Sequence, residues 1–230
     1  MQMLAMRAPI QALGEEAEAI LLGTAGFLFP VLPERAVEAA RAYHRQVWDA
    51  WWKLRPQYEL STGRAVPWSK APSRPVNHPQ RRVAALALSA QKWKRIMPLL
   101  NAAGAKELQQ LLCSLSHPFW DTHYTLSSAP MARKAALIGK QRVADFLINY
   151  VYVQDSSPHA WESYLAEPAA AMPASIQRTA TLLFGEREDL GSTMHKAYAH
   201  QALLQIDADF CARHICLDCA FPVQLCQWAQ

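Results

Sequence analysis

The chain has 230 residues, of which 51% are hydrophobic and 18% are charged, and its formal net charge is +4. This composition is typical of a globular protein with a buried core, and it excludes an intrinsically disordered chain. No apolar run reaches the ~18–20 residues that a membrane span needs. The first residues also lack the charged-then-apolar order of a signal peptide. We therefore expect a cytoplasmic protein with no membrane partner.

The pattern of apolar residues predicts an all-α fold, in which many helices form one domain over residues 1–230. The chain has only eight glycines, its apolar residues recur with a period near 3.6, and no segment alternates with a period of two. In chain order, the predicted helices cover residues 15–22, 33–54, a segment from Asn77 or His78 to about Met97, and residues 105–115, 131–153, 170–184 and 193–210. Pro33 is predicted to open the second of them as its first helical residue, and Ser192 to cap the last.

Two of the predicted helices have clear apolar faces. The second buries Ala40, Tyr43, Val47, Trp51 and Leu54. The third begins after Asn77 or His78, either of which can cap it. Its buried side is predicted to comprise Val83, Leu86, Ala87, Ala90, Trp93 and Met97, and its opposite side Arg81, Lys92 and Arg95.

The segment 56–79 is the least regular part of the sequence, because it carries five prolines. It is either a boundary within the domain or a structured loop.

Charge is distributed unevenly along the chain. Between Glu59 and Glu107 there are nine Lys and Arg residues and no acidic residue, so the rest of the chain is about −5. Such a local positive field is typical of proteins that bind a polyanion. The predicted nucleic-acid-binding residues are Arg74, Asn77, Arg81, Arg82, Lys92 and Arg95, and Trp68 or His78 could stack on bases. Alternatively, these cations form an ordinary solvated face or bind an acidic protein, and Trp68 belongs to the core.

Four of the five cysteines lie near the C-terminus, as Cys211, Cys216, Cys219 and Cys226. In their C-x4-C-x2-C-x6-C spacing, the C-x2-C step lets two thiolates from one turn reach the same metal. Clustered cysteines in a reducing compartment favour a metal over disulfides. We therefore predict a cysteine-rich metal loop over residues 211–226 that holds an iron–sulfur cluster or zinc. Cys226 is the least secure ligand, and His214 or Cys113 could replace it; alternatively, the thiols are buried core residues.

No catalytic motif is present, and we assign no catalytic residue. Asp121 and His123 form the most site-like pair, but two residues do not define a reaction. The chain alone is therefore not expected to be an enzyme.

Four segments carry a family resemblance. They are residues 21–28, Trp68 with residues 74–82, residues 119–124, and residues 201–205 leading to Cys211, Cys216 and Cys219. In these the chain resembles the bacterial family called domain of unknown function 2851, over about residues 18–222. The resemblance implies the helical C-terminal part of proteins about twice this length, whose other half carries nuclease-like acidic motifs. It also implies a protein partner that supplies the missing N-terminal half.

These observations lead to one expectation and two alternatives. The expected function is that of an accessory module that associates with nucleic acid and is stabilised by a cysteine-bound metal or iron–sulfur cluster. The first alternative is a protein-interaction module that docks an acidic or nuclease-like partner. The second is an iron–sulfur enzyme.

Overall fold

A computed structural model describes residues 13–34, 36–58, 68, 77–169, 172–185, 191–214, 219 and 221. The described residues form helices and no β-strand, apart from an isolated antiparallel bridge between Pro168 and Lys196. The all-α prediction is therefore confirmed. Within the described ranges, no helix is both long enough and apolar enough to cross a membrane. Most of the proline-rich segment 56–79 lies outside the described residues.

Several of the helices carry a single 3-10 turn at one end. The 3-10 turns are Gly14–Glu16, Arg55–Tyr58, Met97–Leu99 and Cys211–Arg213, and a π-helical stretch runs over Leu147–Val151. The α-helices are α1 (Ala17–Thr24), α2 (Glu38–Leu54), α3 (Pro79–Gln91), α4 (Trp93–Ile96), α5 (Ala105–Cys113), α6 (Lys140–Phe146), α7 (Tyr152–Gln154), α8 (Pro158–Ala166), α9 (Ala174–Phe184), α10 (Gly191–Met194) and α11 (Ala197–Asp209).

The chain groups into two compact units. The first comprises residues 1–100 and 104–143, and the second comprises residues 101–103 and 144–230.

The core of the first unit forms around α1, a short helix that packs against both α2 and α3. Its residues Ile20, Leu21 and Leu22 are completely buried, as expected for a helix that is apolar on all sides. The predicted apolar face of α2 is confirmed as well. Ala40, Val47 and Trp51 are buried, and Tyr43 and Leu54 pack against the core while partly exposed.

A glycine allows the close approach of α1 and α2. A Cβ atom at Gly23 would lie 2.1 Å from Cδ2 of Trp51, a distance that no side chain tolerates. Three residues later the chain leaves α1 through Gly26, whose φ of 75° favours glycine.

The predicted starts of α2 and of the last long helix are wrong. Helix α2 begins at Glu38, because the Ala36 amide donates to the Pro33 carbonyl in a separate turn and Val37 is extended. The last long helix, α11, begins at Ala197 after Lys196, and Ser192 lies within α10.

The start of α3 is as predicted, but its end differs. Nδ1 of His78 accepts a hydrogen bond from the Gln80 amide at 3.2 Å, which caps the helix. The helix stops at Gln91, and Lys92 separates it from α4. Because the helical period does not continue across this break, Met97 is 50% exposed rather than buried.

The predicted helix over residues 131–153 begins only at Lys140. The preceding residues are held in an irregular path, in which the amides of Met131 and Ala135 donate to the carbonyls of Thr122 and Asp121. Tertiary hydrogen bonds have replaced the helical ones there.

Helix α8 in the second unit was not predicted, although its local signal is clear. Pro158 occupies its first turn, and the Ser157 hydroxyl caps it by accepting from the Ala160 amide at 3.2 Å. In the same unit α9 packs on α11, where Ile176 is buried and the Thr179 hydroxyl donates to Asp207.

We expect Gly23→Ala to lower the free energy of unfolding by about 1–3 kcal/mol, because the added methyl group overpacks the contact with Trp51. Urea denaturation monitored by circular dichroism measures the change. The matched control is Gly139→Ala, where no atom lies within 4 Å of the added Cβ. Equal stability of the two variants would contradict the close packing of α1 against α2.

Candidate functional site

The Arg81 side chain lies inside the first unit. It is 1% exposed. Its Nη1 donates to the carbonyl oxygens of Trp120 and His123, and its Nη2 donates to those of Ala135 and Ala136, at distances of up to 3.1 Å. The prediction that Arg81 shares an exposed face with Lys92 and Arg95 is therefore wrong. A guanidinium that is 1% exposed and already donates to four carbonyls is out of reach of a phosphate, so Arg81 leaves the set of phosphate-binding residues.

Asp121 compensates part of the buried charge. Burial lowers the pKa of Arg81, and the nearby Asp121 opposes that shift. The group remains a cation at neutral pH because arginine starts from so high a pKa. The Asp121 carboxylate is buried and accepts hydrogen bonds from the Ser116 hydroxyl at 2.6 Å and from the His117 amide at 2.9 Å. Asp121 thus orders the turn that Arg81 binds.

His123 belongs to an aromatic stack. The Phe119 ring lies between the rings of Tyr43 and His123, with centroid distances of 4.1 Å and 4.0 Å. Nδ1 of His123 is 2.8 Å from the Phe119 carbonyl oxygen, which places the donor hydrogen on that nitrogen. Both Asp121 and His123 are therefore held by their own neighbours as parts of the packing.

A polar cluster around Glu18 was missed from the sequence. The Glu18 carboxylate accepts hydrogen bonds from the Tyr43 hydroxyl, from Nε1 of Trp120 at 3.1 Å and from Nε2 of His117 at 3.4 Å. Burial raises the pKa of Glu18, but the bonds from His117 and Tyr43 outweigh it, so the pKa lies below its ordinary value. No local signal reveals the cluster, because these partners lie 25 to 102 residues from Glu18 along the chain.

The ring nitrogens of His117 are both used in this cluster. Nδ1 accepts from the amides of Phe119 and Trp120 at 3.2 Å and 3.3 Å, so Nε2 carries the hydrogen that it donates to Glu18. A histidine bonded at both nitrogens has no lone pair with which to act as a base. The cluster therefore joins α1 and α2 to the 117–123 segment.

The two aromatic residues considered for base stacking have structural roles. Nε1 of Trp68 donates to the Ala25 carbonyl at 2.8 Å, and its ring stacks on Phe27 with centroids 4.7 Å apart. His78 caps α3. The structure therefore favours the alternative that Trp68 belongs to the core.

The other predicted nucleic-acid-binding residues that the structure describes lie at least partly on the surface. Arg82, Lys92 and Arg95 are exposed, Asn77 is half-buried, and Arg74 lies outside the described residues. Residues 77–142 are described without a gap, and within them Glu107 is the one exposed carboxylate. The exposed cations of this stretch are Arg82, Lys92, Lys94, Arg95, Lys106, Arg133, Lys134, Lys140 and Arg142. We call these nine residues the exposed basic set.

The last four members of the exposed basic set were missed, although the sequence contains their signal. Between residues 108 and 142 the single acidic residue is Asp121, which is buried near Arg81. The basic stretch therefore continues past Glu107 as far as Arg142.

The structure describes only part of the predicted metal loop. Cys211 opens a 3-10 turn after α11, and His214 then turns the chain with a left-handed φ of 56°. Cys211 and Cys219 are half-buried free thiols, and Cys216 and Cys226 lie outside the described residues. Within the described part, no three His, Cys, Asp or Glu side chains are placed to hold a metal ion. Burial raises the pKa of Cys113, which disfavours the thiolate that a metal would need.

A family model described as "Protein of unknown function (DUF2851)" matches residues 1–156. The match includes the first three of the four sequence landmarks, and the fourth, at residues 201–219, lies beyond it. Neither the curated proteins nor the solved structures include a significant match to the chain.

We expect Arg81→Met to lower the free energy of unfolding by about 3–5 kcal/mol, because it leaves buried carbonyls without donors and Asp121 without a countercharge. Arg81→Lys should also destabilise the protein, since a single ammonium cannot reach all four carbonyls. The neighbouring control Arg82→Met removes an exposed cation and should change the stability by about 0.5 kcal/mol or less. Urea denaturation of the three variants would refute this role if Arg81→Met and Arg82→Met proved alike.

Proposed function

The chain belongs to the DUF2851 family of proteins of unknown function, and we propose that it is an accessory module that binds nucleic acid through the exposed basic set. The proposal rests on one observation. Among residues 77–142, nine exposed side chains are cations and one is a carboxylate. A phosphate backbone is the partner that such an unbalanced charge attracts most strongly.

The cations on and after α3 are spaced widely enough to contact several phosphates. Most of α3 is buried, and Arg82 is its exposed cation. Lys92 follows ten residues later, which corresponds to about 15 Å at the helical rise of 1.5 Å per residue. Lys94 and Arg95 follow within α4. Cations so spaced would contact phosphates of different nucleotides, which favours binding without sequence preference.

The same cations would suit an acidic protein surface, so the first alternative remains a module that docks an acidic or nuclease-like partner. Such a partner could supply the half that longer family members are expected to carry. The second alternative, an iron–sulfur enzyme, would have to use groups other than Asp121 and His123, since both side chains are buried within the packing.

The nucleic-acid proposal predicts that Lys92→Glu combined with Arg95→Glu weakens binding to a labelled random oligonucleotide by about tenfold or more at ~50 mM salt. Fluorescence anisotropy measures the affinity, and the affinity of the unmodified chain should fall steeply as salt rises. The matched control compares Lys92→Glu alone with Lys53→Glu, an identical change at an exposed lysine of α2.

Two results would contradict the nucleic-acid proposal. One is no binding of single- or double-stranded oligonucleotides at low salt. The other is an equal loss for Lys92→Glu and Lys53→Glu, which would indicate a general charge effect. If the charge-reversed variant instead failed to bind an acidic protein that the unmodified chain captures, the first alternative would replace the proposal.

We also propose that Cys211, Cys216, Cys219 and Cys226 hold a zinc ion or an iron–sulfur cluster. The C-x4-C-x2-C-x6-C spacing supports this, as does the 3-10 turn over Cys211–Arg213 that follows α11. A bound metal would stabilise the segment after α11 without taking part in nucleic-acid contacts.

The metal proposal predicts about one zinc ion, or iron with matching sulfide, per chain purified without oxygen. Elemental analysis measures the content, and Cys216→Ser with Cys219→Ser should abolish it. Cys113→Ser is the control and should retain the metal. A folded, metal-free chain would show that the thiols are not ligands, and loss of metal in Cys113→Ser would show that the assigned set is wrong.

A further inference from the structure

The outer side of α2 forms one wall of an open pocket of about 260 Å³. Residues 30–32 form the other wall, and α2 contributes Arg41, His44, Arg45 and Trp48. None of these lining residues carries a carboxylate. Two guanidinium groups and an imidazole beside one pocket are a group of donors suited to an anion.

His44 lacks a partner for a buried atom. Its side chain is 5% exposed, and its Nε2 is buried with no hydrogen-bond partner among the described residues. Burial lowers the pKa of His44, so the ring is neutral at neutral pH and one nitrogen carries a hydrogen. Buried polar atoms are normally paired, and this unpaired nitrogen belongs to a residue that lines the pocket.

The two arginines differ in how they are held. Nε of Arg41 donates to the Ala36 carbonyl at 3.0 Å, and its Nη2 donates to the Glu34 carbonyl, so its guanidinium is fixed at the pocket wall. Arg45 is exposed one turn further along α2. The exposed guanidinium of Arg45 can present two parallel N–H groups to a phosphate, and Arg41 adds a second positive charge at the pocket wall.

An aromatic ladder continues from the pocket along α2. His44, Trp48 and Trp52 follow one another at intervals of four residues, with centroid distances of 6.1 Å and 5.5 Å between successive rings. Trp52 is 42% exposed, and the Arg55 guanidinium lies 3.9 Å from its ring centroid. Exposed indole rings flanked by arginine are typical platforms for nucleic-acid bases.

We propose that this pocket binds the phosphate group of a nucleotide on Arg41 and Arg45, with the base stacked on Trp48. At about 260 Å³ the pocket is smaller than those that enclose a whole drug-sized ligand. The pocket would therefore hold the phosphate and part of the sugar. The base would remain outside it and contact the indole of Trp48. The phosphate could belong to a free nucleotide or to the end of a nucleic-acid strand. The site shares no residue with the exposed basic set, so it stands independently of the proposed function.

Isothermal titration calorimetry with the full chain tests the site with adenosine 5′-monophosphate, inorganic phosphate and adenosine. We expect adenosine 5′-monophosphate to bind most tightly, because it is the one probe of the three that carries both a phosphate and a base.

Arg45→Gln should weaken the binding of adenosine 5′-monophosphate by about tenfold or more through the loss of a charge-assisted contact. Lys53→Gln, which removes an exposed cation of the same helix outside the pocket, should change the affinity by about twofold or less. Trp48→Leu should lower the affinity for adenosine 5′-monophosphate towards that for inorganic phosphate.

A comparison of 5′-phosphorylated and 5′-hydroxyl oligonucleotides distinguishes the two sources of phosphate. Tighter binding of the phosphorylated strand, reversed by Arg45→Gln, would identify a strand end as a ligand, and binding of the mononucleotide alone would identify a free nucleotide. The proposal is overturned if none of these phosphates binds, or if Arg45→Gln and Lys53→Gln have equal effects. Nucleotide binding that survives Lys92→Glu with Arg95→Glu would show that the pocket acts separately from the exposed basic set.

Discussion

The structure of the first unit depends on one buried cation. The guanidinium of Arg81 binds four backbone carbonyls from two stretches of chain, residues 120–123 and residues 135–136. Both stretches are irregular, so their carbonyls lack the partners that a helix would provide. A single forked side chain from α3 replaces those partners. An apolar residue of similar length could fill the space, but it would leave polar groups unsatisfied in the interior.

The segment that Arg81 holds also connects the remaining helices of the unit. Trp120 reaches Glu18 of α1 and Tyr43 of α2, and Phe119 stacks on Tyr43. The order of residues 117–123 therefore depends on α3 through backbone hydrogen bonds and on α1 and α2 through side-chain contacts. This arrangement also separates the charges of the unit. Arg81 and Asp121 compensate one another inside, while the exposed basic set remains outside and available to a partner.

Helices with a regular apolar period could be predicted from the sequence, because periodicity reflects burial on one face. The apolar face of α2 and the His78 cap are examples. Arg81 could not be placed in this way. A cation at helical spacing from other cations normally faces solvent, and only the distant carbonyls of the 120–136 segment reverse that preference. The absence of a helix over residues 131–139 has the same origin, whereas α8 was missed despite the local Ser157–Pro158 signal.

The candidate sites were predictable to different degrees. A run of cations without acids is visible in composition, so Arg82, Lys92 and Arg95 were found. The pocket beside α2 was not predicted, because it forms only when residues 30–32 lie opposite Arg41 and His44. Nothing in the local sequence specifies that placement. The cysteine ligands were predicted from spacing alone, and both their role and their geometry stay predictions, since Cys216 and Cys226 lie outside the described residues.

The contact between Gly23 and Trp51 has a consequence for how this family can diverge. The space beside Gly23 is filled by the indole of Trp51, so the two positions share a fixed volume. A homologue with a larger residue at position 23 should carry a smaller one at position 51, and a homologue that keeps the indole should keep the glycine. We therefore expect the two positions to covary across an alignment of the family.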